Sequence, residues 1–442
     1  MRSTGLVCLL LALGCGDIQT TGSGDGGPGS GDAGSPDARA VGSITVRLGR
    51  LFGQSQPLAD NQVVVVDPEG AVAAETTTDA DGLATTGDIE AGSTLIILIA
   101  QPPTGAPVGT QALVIAGVEP GDDIRLDPEP DQGDEVGTMN VSWPPLGVGG
   151  ETYFVDTGCG GTSTSDTVTT LSFSEGCLID GEAQVLIRAD DGASTTLGWL
   201  GGSVPFSNGD PFDVVGTWRE PRDLSVTLTD IPPEALAVFP SLQPTRGGLQ
   251  LNRINLSELQ LDQDTIEIHL AAPRSFVDSS LVALGFQPNQ PSFGSNQLGV
   301  RVAPDETEVE LSLAEELVPW YSVPVLDSPS RTIQWSHSSG LDPDAQFLIM
   351  FWTDKDTSSG GTFVMMPPGV TAVTLPELPS EYPQYIPGNP ITVAMRVEAG
   401  ESTDIDGYRA ARQTGFSLVY EDPQHGLEPP STLRRASAGV DN

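Results

Sequence analysis

Short apolar runs, rich in β-branched residues and cut off by turn residues, set the fold of this chain more firmly than any other feature. Val63-Val64-Val65-Val66, Leu95-Ile96-Ile97-Leu98-Ile99 and Phe347-Leu348-Ile349-Met350-Phe351-Trp352 are the strongest. Between them lie segments of strict alternation: Ile44, Val46 and Leu48 against Ser43, Thr45 and Arg47, then Leu224-Ser225-Val226-Thr227-Leu228 and Val309-Glu310-Leu311-Ser312-Leu313. Alternation with period two fits a half-buried strand, and a short unbroken run between turns fits a fully buried one. The punctuation agrees, with 52 Gly and 37 Pro among 442 residues. Asp67-Pro68-Glu69-Gly70 has Pro second and Gly fourth, as a tight turn requires, and Asp79-Ala80-Asp81-Gly82 forms another. No amphipathic helical period persists beyond three turns. The sequence predicts an all-β chain of tandem β-sandwiches after a disordered N-terminal tether.

The N-terminus carries Arg2, then the apolar stretch Leu9-Leu10-Leu11-Ala12-Leu13, then Gly14 and Cys15. A cationic start, a short apolar core and a small residue at the cut make a secretory signal. The core is far below the ~20 residues that span a bilayer as a helix. Leu13-Gly14-Cys15 resembles the lipobox of bacterial lipoproteins, with Ala12 where Leu is usual. That resemblance implies removal of residues 1–14, a diacylglycerol thioether on Cys15 and acylation of its new amine. Two or more chains anchor stably, whereas one is marginal. Residues 15–41 are rich in Gly, Ser and Asp, cannot bury apolar surface, and read as a tether. The alternative is an ordinary signal peptide with an incidental cysteine. The address is the cell envelope, with the outer membrane or cell surface favoured over the inner membrane.

Sixty acidic residues stand against 19 basic ones, a net charge of −41. Such a surface repels phosphate backbones and excludes nucleic acid as a partner. Lys355 is the sole lysine. Cys8 falls in the signal and Cys15 at its end, which leaves Cys159 and Cys177 as an even pair in an exported chain, expected as a disulfide.

Composition divides the chain. In residues 42–127, Pro57-Leu58-Ala59-Asp60, Val63-Val64-Val65-Val66-Asp67, Thr77-Thr78-Asp79-Ala80-Asp81-Gly82 and Gly92 follow an order similar to the carboxypeptidase regulatory-like domain. That family implies a prealbumin-like β-sandwich, accessory and non-catalytic. Residues 128–136 are an acidic, Pro-broken linker. Residues 137–220 read as an Ig/fibronectin-like sandwich holding both cysteines, and 221–327 as β-rich with no clear internal boundary. In 328–420, Ile333-x-Trp335, the run 347–352, Val373-x-Leu375-x-x-Leu378-Pro379 and Val393-x-x-Arg396-Val397-x-Ala399 resemble fibronectin type III, without the corner tyrosine that would stand near Val393. Residues 421–442 are expected to be a disordered tail.

Chemistry-bearing motifs are few. The histidines are His269, His337 and His425, none paired at zinc-ligand spacing. There is no Gly-x-Ser-x-Gly elbow and no phosphate-cradling Gly-x-x-x-x-Gly-Lys loop. Asp79, Asp81, Asp88 and Glu90 are an oxygen-rich cluster that could serve Ca²⁺. An EF-hand aligned on Gly82, however, has Thr77 first and Asp88 last, and a hairpin turn accounts for the aspartates without metal. Trp143, Trp335 and Trp352 lie in strand patterns and are expected in the core. Trp218 and Trp320 have loop-like settings and are the candidates for an exposed, sugar-stacking aromatic. The reading is a non-catalytic, lipid-anchored envelope protein without cofactor, acting as a structural or protein-binding module. Its partners would be the membrane, through the lipid, and other envelope proteins or surface glycans. One alternative is a carbohydrate-binding lipoprotein. The other is a hydrolase that brings His269 or His337 to a Ser and a carboxylate.

Overall fold

The computed structural model describes residues 41–49, 58–100, 109–126, 135–193, 195–327, 329–354, 359–376, 378, 382, 385, 390–414 and 431–440. Cys15 and the tether up to residue 40, Lys355 and His425 lie outside the described residues. The chain is an all-β, multi-domain β-sandwich protein.

Its frame is a fourteen-stranded sheet. The long strands are β1 (Gln62–Val66), β2 (Val72–Thr77), β3 (Ser93–Ala100), β4 (Gly109–Val118), β5 (Ala235–Arg246), β6 (Ser279–Pro288), β7 (Ser295–Val302), β8 (Ala345–Asp354), β9 (Ser359–Met366), β10 (Pro390–Ser402) and β11 (Thr432–Val440). Their spatial order is β5-β6-β7-β11-β10-β8-β9-β4-β3-β1-β2, with three short strands beside β5. Neighbours along this path are antiparallel except β4 and β9, which run parallel from Gly109↔Ser359 to Ile115↔Met365.

The unbroken apolar runs follow from burial on both faces. Val63, Val65, Leu95, Ile97, Leu113 and Ile115 pack with Val46 and Ile124 of a small sheet (Leu83–Thr85, Thr45–Leu48, Asp123–Leu126). The intervening Val64, Ile96, Leu98, Ala112 and Val114 pack on the opposite face with Ile333 and Trp335, under a second small sheet (Val325–Asp327, Thr332–Gln334, Ala372–Thr374). A strand covered on both sides loses its polar alternation. A third small sheet (Ile266–Ala272, Arg222–Thr229, Glu308–Ser312) encloses a core against β5–β7. The remaining sandwich sets Glu135–Ser142 and its partners against Thr152–Asp156, Glu182–Asp190 and Thr196–Pro205.

Two expectations change here. Residues 42–127 and 328–420 are not independent sandwiches, because β4 and β9 join them in one sheet. Local sequence pattern carries no information about such a distant parallel pairing. Nor are residues 421–442 disordered throughout, because Thr432–Val440 is β11, seated between β7 and β10. Its Ala436 and Ala438 are buried. The second sandwich is also tied to the next region. The Asn252 amide donates to the Phe154 carbonyl at 2.8 Å, and the Trp199 indole N–H donates to the Ala271 carbonyl at 3.2 Å.

Buried charge fastens this frame at two points. A helix the sequence pattern missed, α1 (Gly407–Thr414), sets Arg412 against Asp122 at 3.1 Å, with side-chain exposures of 2% and 0%. From the same helix, the Tyr408 hydroxyl donates to the Ala116 carbonyl of β4 and the Met365 carbonyl of β9, at 2.8 and 3.1 Å. On β11, Arg434 is paired with Glu316 and Glu401. Burial pushes the Glu401 carboxyl above the usual range, and its hydrogen bond from Arg434 works in the opposite direction.

Cys159 and Cys177 form the expected disulfide, with Cα atoms 5.4 Å apart and 18 residues of separation. Closing a loop of that size stabilises by about 3 kcal/mol. The Cys159→Ala/Cys177→Ala double variant should lose about that amount in urea unfolding. A loss below about 1 kcal/mol would mean that the unfolded chain gains little freedom when the bridge is absent.

Candidate functional site

The best-formed surface feature is one end of the disulfide-bearing sandwich. There the loop 144–151, the end of strand Val168–Ser174 and the segment 214–218 converge. Val168 is paired opposite Ser142, and the Val214 N–H donates to the Ser142 carbonyl at 2.8 Å. The Trp218 indole N–H reaches back to the Pro144 carbonyl at 2.9 Å. Its ring lies 5.8 Å from Tyr153, which in turn meets Trp143 edge-on at 5.6 Å. The Tyr153 hydroxyl accepts the Leu146 N–H at 3.2 Å. The Glu151 carboxylate accepts the Val148 N–H at 2.6 Å, and backbone hydrogen bonds, that of Gly149 foremost, hold its pKa below the ordinary value. This scaffold presents Val148, Val168 and Val215, which are 69%, 54% and 84% exposed, beside a half-buried Trp218. Aromatic and aliphatic groups on a rigid rim can contact an apolar or sugar-ring face.

Trp320, expected to be exposed, is 2% exposed and belongs to the core under β5–β7. Its N–H donates to the Ser338 hydroxyl at 3.0 Å, and its carbonyl accepts the Ser338 N–H at 2.9 Å. The adjacent proline gives the segment an irregular path, but that path runs over the core. Trp320 is therefore removed from the candidates. Trp143, Trp335 and Trp352 are buried.

His269 sits directly across from Ser225 on the solvent face of the third small sheet. Its Nδ1 is 3.1 Å from both Asp223 carboxylate oxygens, and its Nε2 is 3.7 Å from Glu267. Ser225 donates its proton to Glu267 at 2.8 Å, not to the imidazole. An activated nucleophile needs its base within hydrogen-bond reach and a cleft that excludes water. This group lies on an open strand face, with the His269 side chain 57% exposed. His337 Nδ1 faces the Ser338 carbonyl at 2.8 Å, and its ring lies beside Tyr321. The two histidines are not brought together.

The Asp79 carboxylate accepts the N–H groups of Asp81 and Leu83, each at 2.9 Å, and so closes the turn. Among the described residues, no group of three or more His, Cys, Asp or Glu is arranged to hold a metal ion, and this includes Asp79, Asp81 and Asp88. A small apolar cleft, partly open to solvent, lies between the frame and the second small sheet, lined by Ile96, Val114, Leu375 and Tyr385.

Sequence reasoning missed the buried charges. One of them left a signal: Arg222 stands in phase with Leu224, Val226 and Leu228, so the alternation itself points a guanidinium into the core.

No family model matches the sequence, and no curated protein matches it. Among solved structures, the chain is similar to the Bacillus anthracis TIE protein at 12% identity and a TM-score of 0.15. That match covers 62% of this chain and 50% of the other, so the chain spans about half that protein's length. A streptococcal ancillary pilin is matched at 8% identity and a TM-score of 0.17, over 62% of this chain and 98% of the pilin. Two B repeat units of the collagen binding protein of Staphylococcus aureus are matched at 9% identity and a TM-score of 0.14, over 82% and 93%. At such TM-scores these likenesses carry neither a family nor a function.

Proposed function

We propose that this chain is a non-catalytic, lipid-anchored protein of the bacterial cell envelope, whose joined β-sandwiches serve as a rigid structural or protein-binding module. The observation that carries this reading is the continuous frame: one fourteen-stranded sheet draws strands from regions as far apart as residues 62 and 440. Rigidity of that kind suits a spacer or a docking platform. The Leu13-Gly14-Cys15 sequence, the acidic surface and the disulfide support an exported, tethered protein. In this reading, residues 15–41 provide reach.

Mass spectrometry of the mature N-terminus tests the anchor. The expected product begins at Cys15 and carries acyl chains; an unmodified Cys15, or cleavage elsewhere, removes the lipoprotein reading. Crosslinking on intact cells then identifies what the module touches.

A second reading, glycan binding, is favoured by one observation: Trp218 and the exposed valines share a rigid rim. Glycan-array binding that disappears in Trp218→Ala would support it. Binding that survives the substitution would place any glycan contact elsewhere.

A further inference from the structure

Arg222 is 5% exposed, and its Nε, Nη1 and Nη2 all lack a hydrogen-bond partner. Arg188 and Arg412 also carry unpartnered nitrogens, but each has a carboxylate beside it. Arg188 lies 2.9 Å from Asp190, Arg412 3.1 Å from Asp122, and Arg434 is paired with Glu316 and Glu401. A guanidinium has five donors and does not lose its charge in a protein. Buried without acceptors it is strongly disfavoured, so something must supply oxygen atoms.

The charged groups that face it come from two neighbouring segments. Glu306 and Asp305 lie in the turn before strand Glu308–Ser312, and Arg274 lies just beyond strand Ile266–Ala272. Glu306 is already engaged, accepting the Ala303 N–H at 3.2 Å. Arg274 donates to the carbonyls of Glu220 and Pro221, the residues just before Arg222, at 3.1 and 3.4 Å. The same segment continues to Phe276, whose φ of 75° is rare for an aromatic residue. Arg246 holds it there, stacked 4.0 Å over the ring and donating to its carbonyl at 2.9 Å. Backbone strain of this kind persists only where the surroundings over-determine it.

We infer that Arg222, with Arg274 beside it, is the anchor of a carboxylate-binding site at the seam between the disulfide-bearing sandwich and the next region. The planar fork of a guanidinium matches the two oxygens of a carboxylate. Glu306, Asp305 and the −41 net charge penalise a phosphate dianion more than a carboxylate monoanion. The carboxylate belongs either to a free small acid or to an acidic side chain of a polypeptide.

Thermal unfolding of the full chain, at constant ionic strength, tests this with two probes: acetate, and a terminally blocked Ala-Asp-Ala peptide. The wild type should show a saturable rise in Tm with at least one probe, and the tighter of the two names the source. Arg222→Gln should abolish the rise, and Arg274→Gln should weaken apparent affinity by about tenfold. Glu306→Gln should preserve or strengthen binding. Should Arg222→Gln fail to fold, Arg222→Lys keeps the charge without the fork and should bind more weakly than the wild type. The inference is overturned if the wild type responds to neither probe, or if Arg222→Gln responds as the wild type does. It is overturned equally if Glu306→Gln loses both Tm and response, which would make Glu306 the resident partner.

Discussion

Asp122→Ala should destabilise the protein by about 3–5 kcal/mol, the usual consequence of stranding one member of a buried ion pair. The Asp122 side chain is fully buried, and one carboxylate oxygen serves both Arg412, at 3.1 Å, and the Glu119 N–H, at 2.9 Å. The other lies 3.3 Å from Arg409 Nε. Removing the carboxylate leaves the Arg412 guanidinium buried against Tyr408 with its counter-charge gone. The effect should spread, because α1 carries the Tyr408 hydroxyl that bridges β4 and β9. The Asp122→Ala/Arg412→Met double variant separates charge from packing. Without a stranded cation it should recover part of the loss, which denaturant unfolding of the set will show. A single-variant loss below about 1 kcal/mol would mean that water reaches the pair and that it is not a structural fastening.

Gly294→Val should be worse, with a loss above about 4 kcal/mol or failure to fold. Gly294 immediately precedes β7, and its N–H donates to the Tyr321 carbonyl at 3.0 Å. A Cβ there would stand 1.8 Å from the Ser437 carbonyl oxygen and 2.4 Å from the Ala438 Cα, both backbone atoms of β11. No rotamer relieves that collision, so β11 must leave its place. Its departure would open the facing edges of β7 and β10, and bare edges recruit other chains. Hydrogen exchange should show the amides of 432–440 losing protection, with aggregation on concentration. Gly285→Ala is the control: its Cβ would meet nothing nearer than Phe239, at 3.9 Å, so the change should be close to neutral. Equal effects at the two glycines would defeat the steric argument.

The strands themselves were legible. β-branched runs and alternation are local consequences of which faces are covered, and Val63–Val66 and Leu224–Leu228 show the two cases. The disulfide was legible because export and an even count left Cys159 only Cys177. What could not be read was the joining of distant pieces. β11 is built from residues such as Ala436, Ser437, Ala438 and Gly439, whose weak hydrophobicity gives no signal. Trp320 was misjudged from its proline neighbour, since an irregular backbone can still cover a core. At the oxygen-rich turn, the Asp79 carboxylate is taken up by the N–H groups of Asp81 and Leu83. Arg222 was legible, because it stands in phase with the buried Leu224, Val226 and Leu228.

The parallel pairing of β4 with β9 also constrains how the molecule comes to exist. Gly109 meets Ser359, 250 residues further along the chain. Closing so long a span costs chain entropy before any contact repays it, and folding slows as contacts become less local. The sheet therefore cannot be completed progressively as the polypeptide emerges; the strands of its first region must wait with β4 exposed until β9 arrives. Until β9 arrives, β4 presents an unpaired edge that other strands can join.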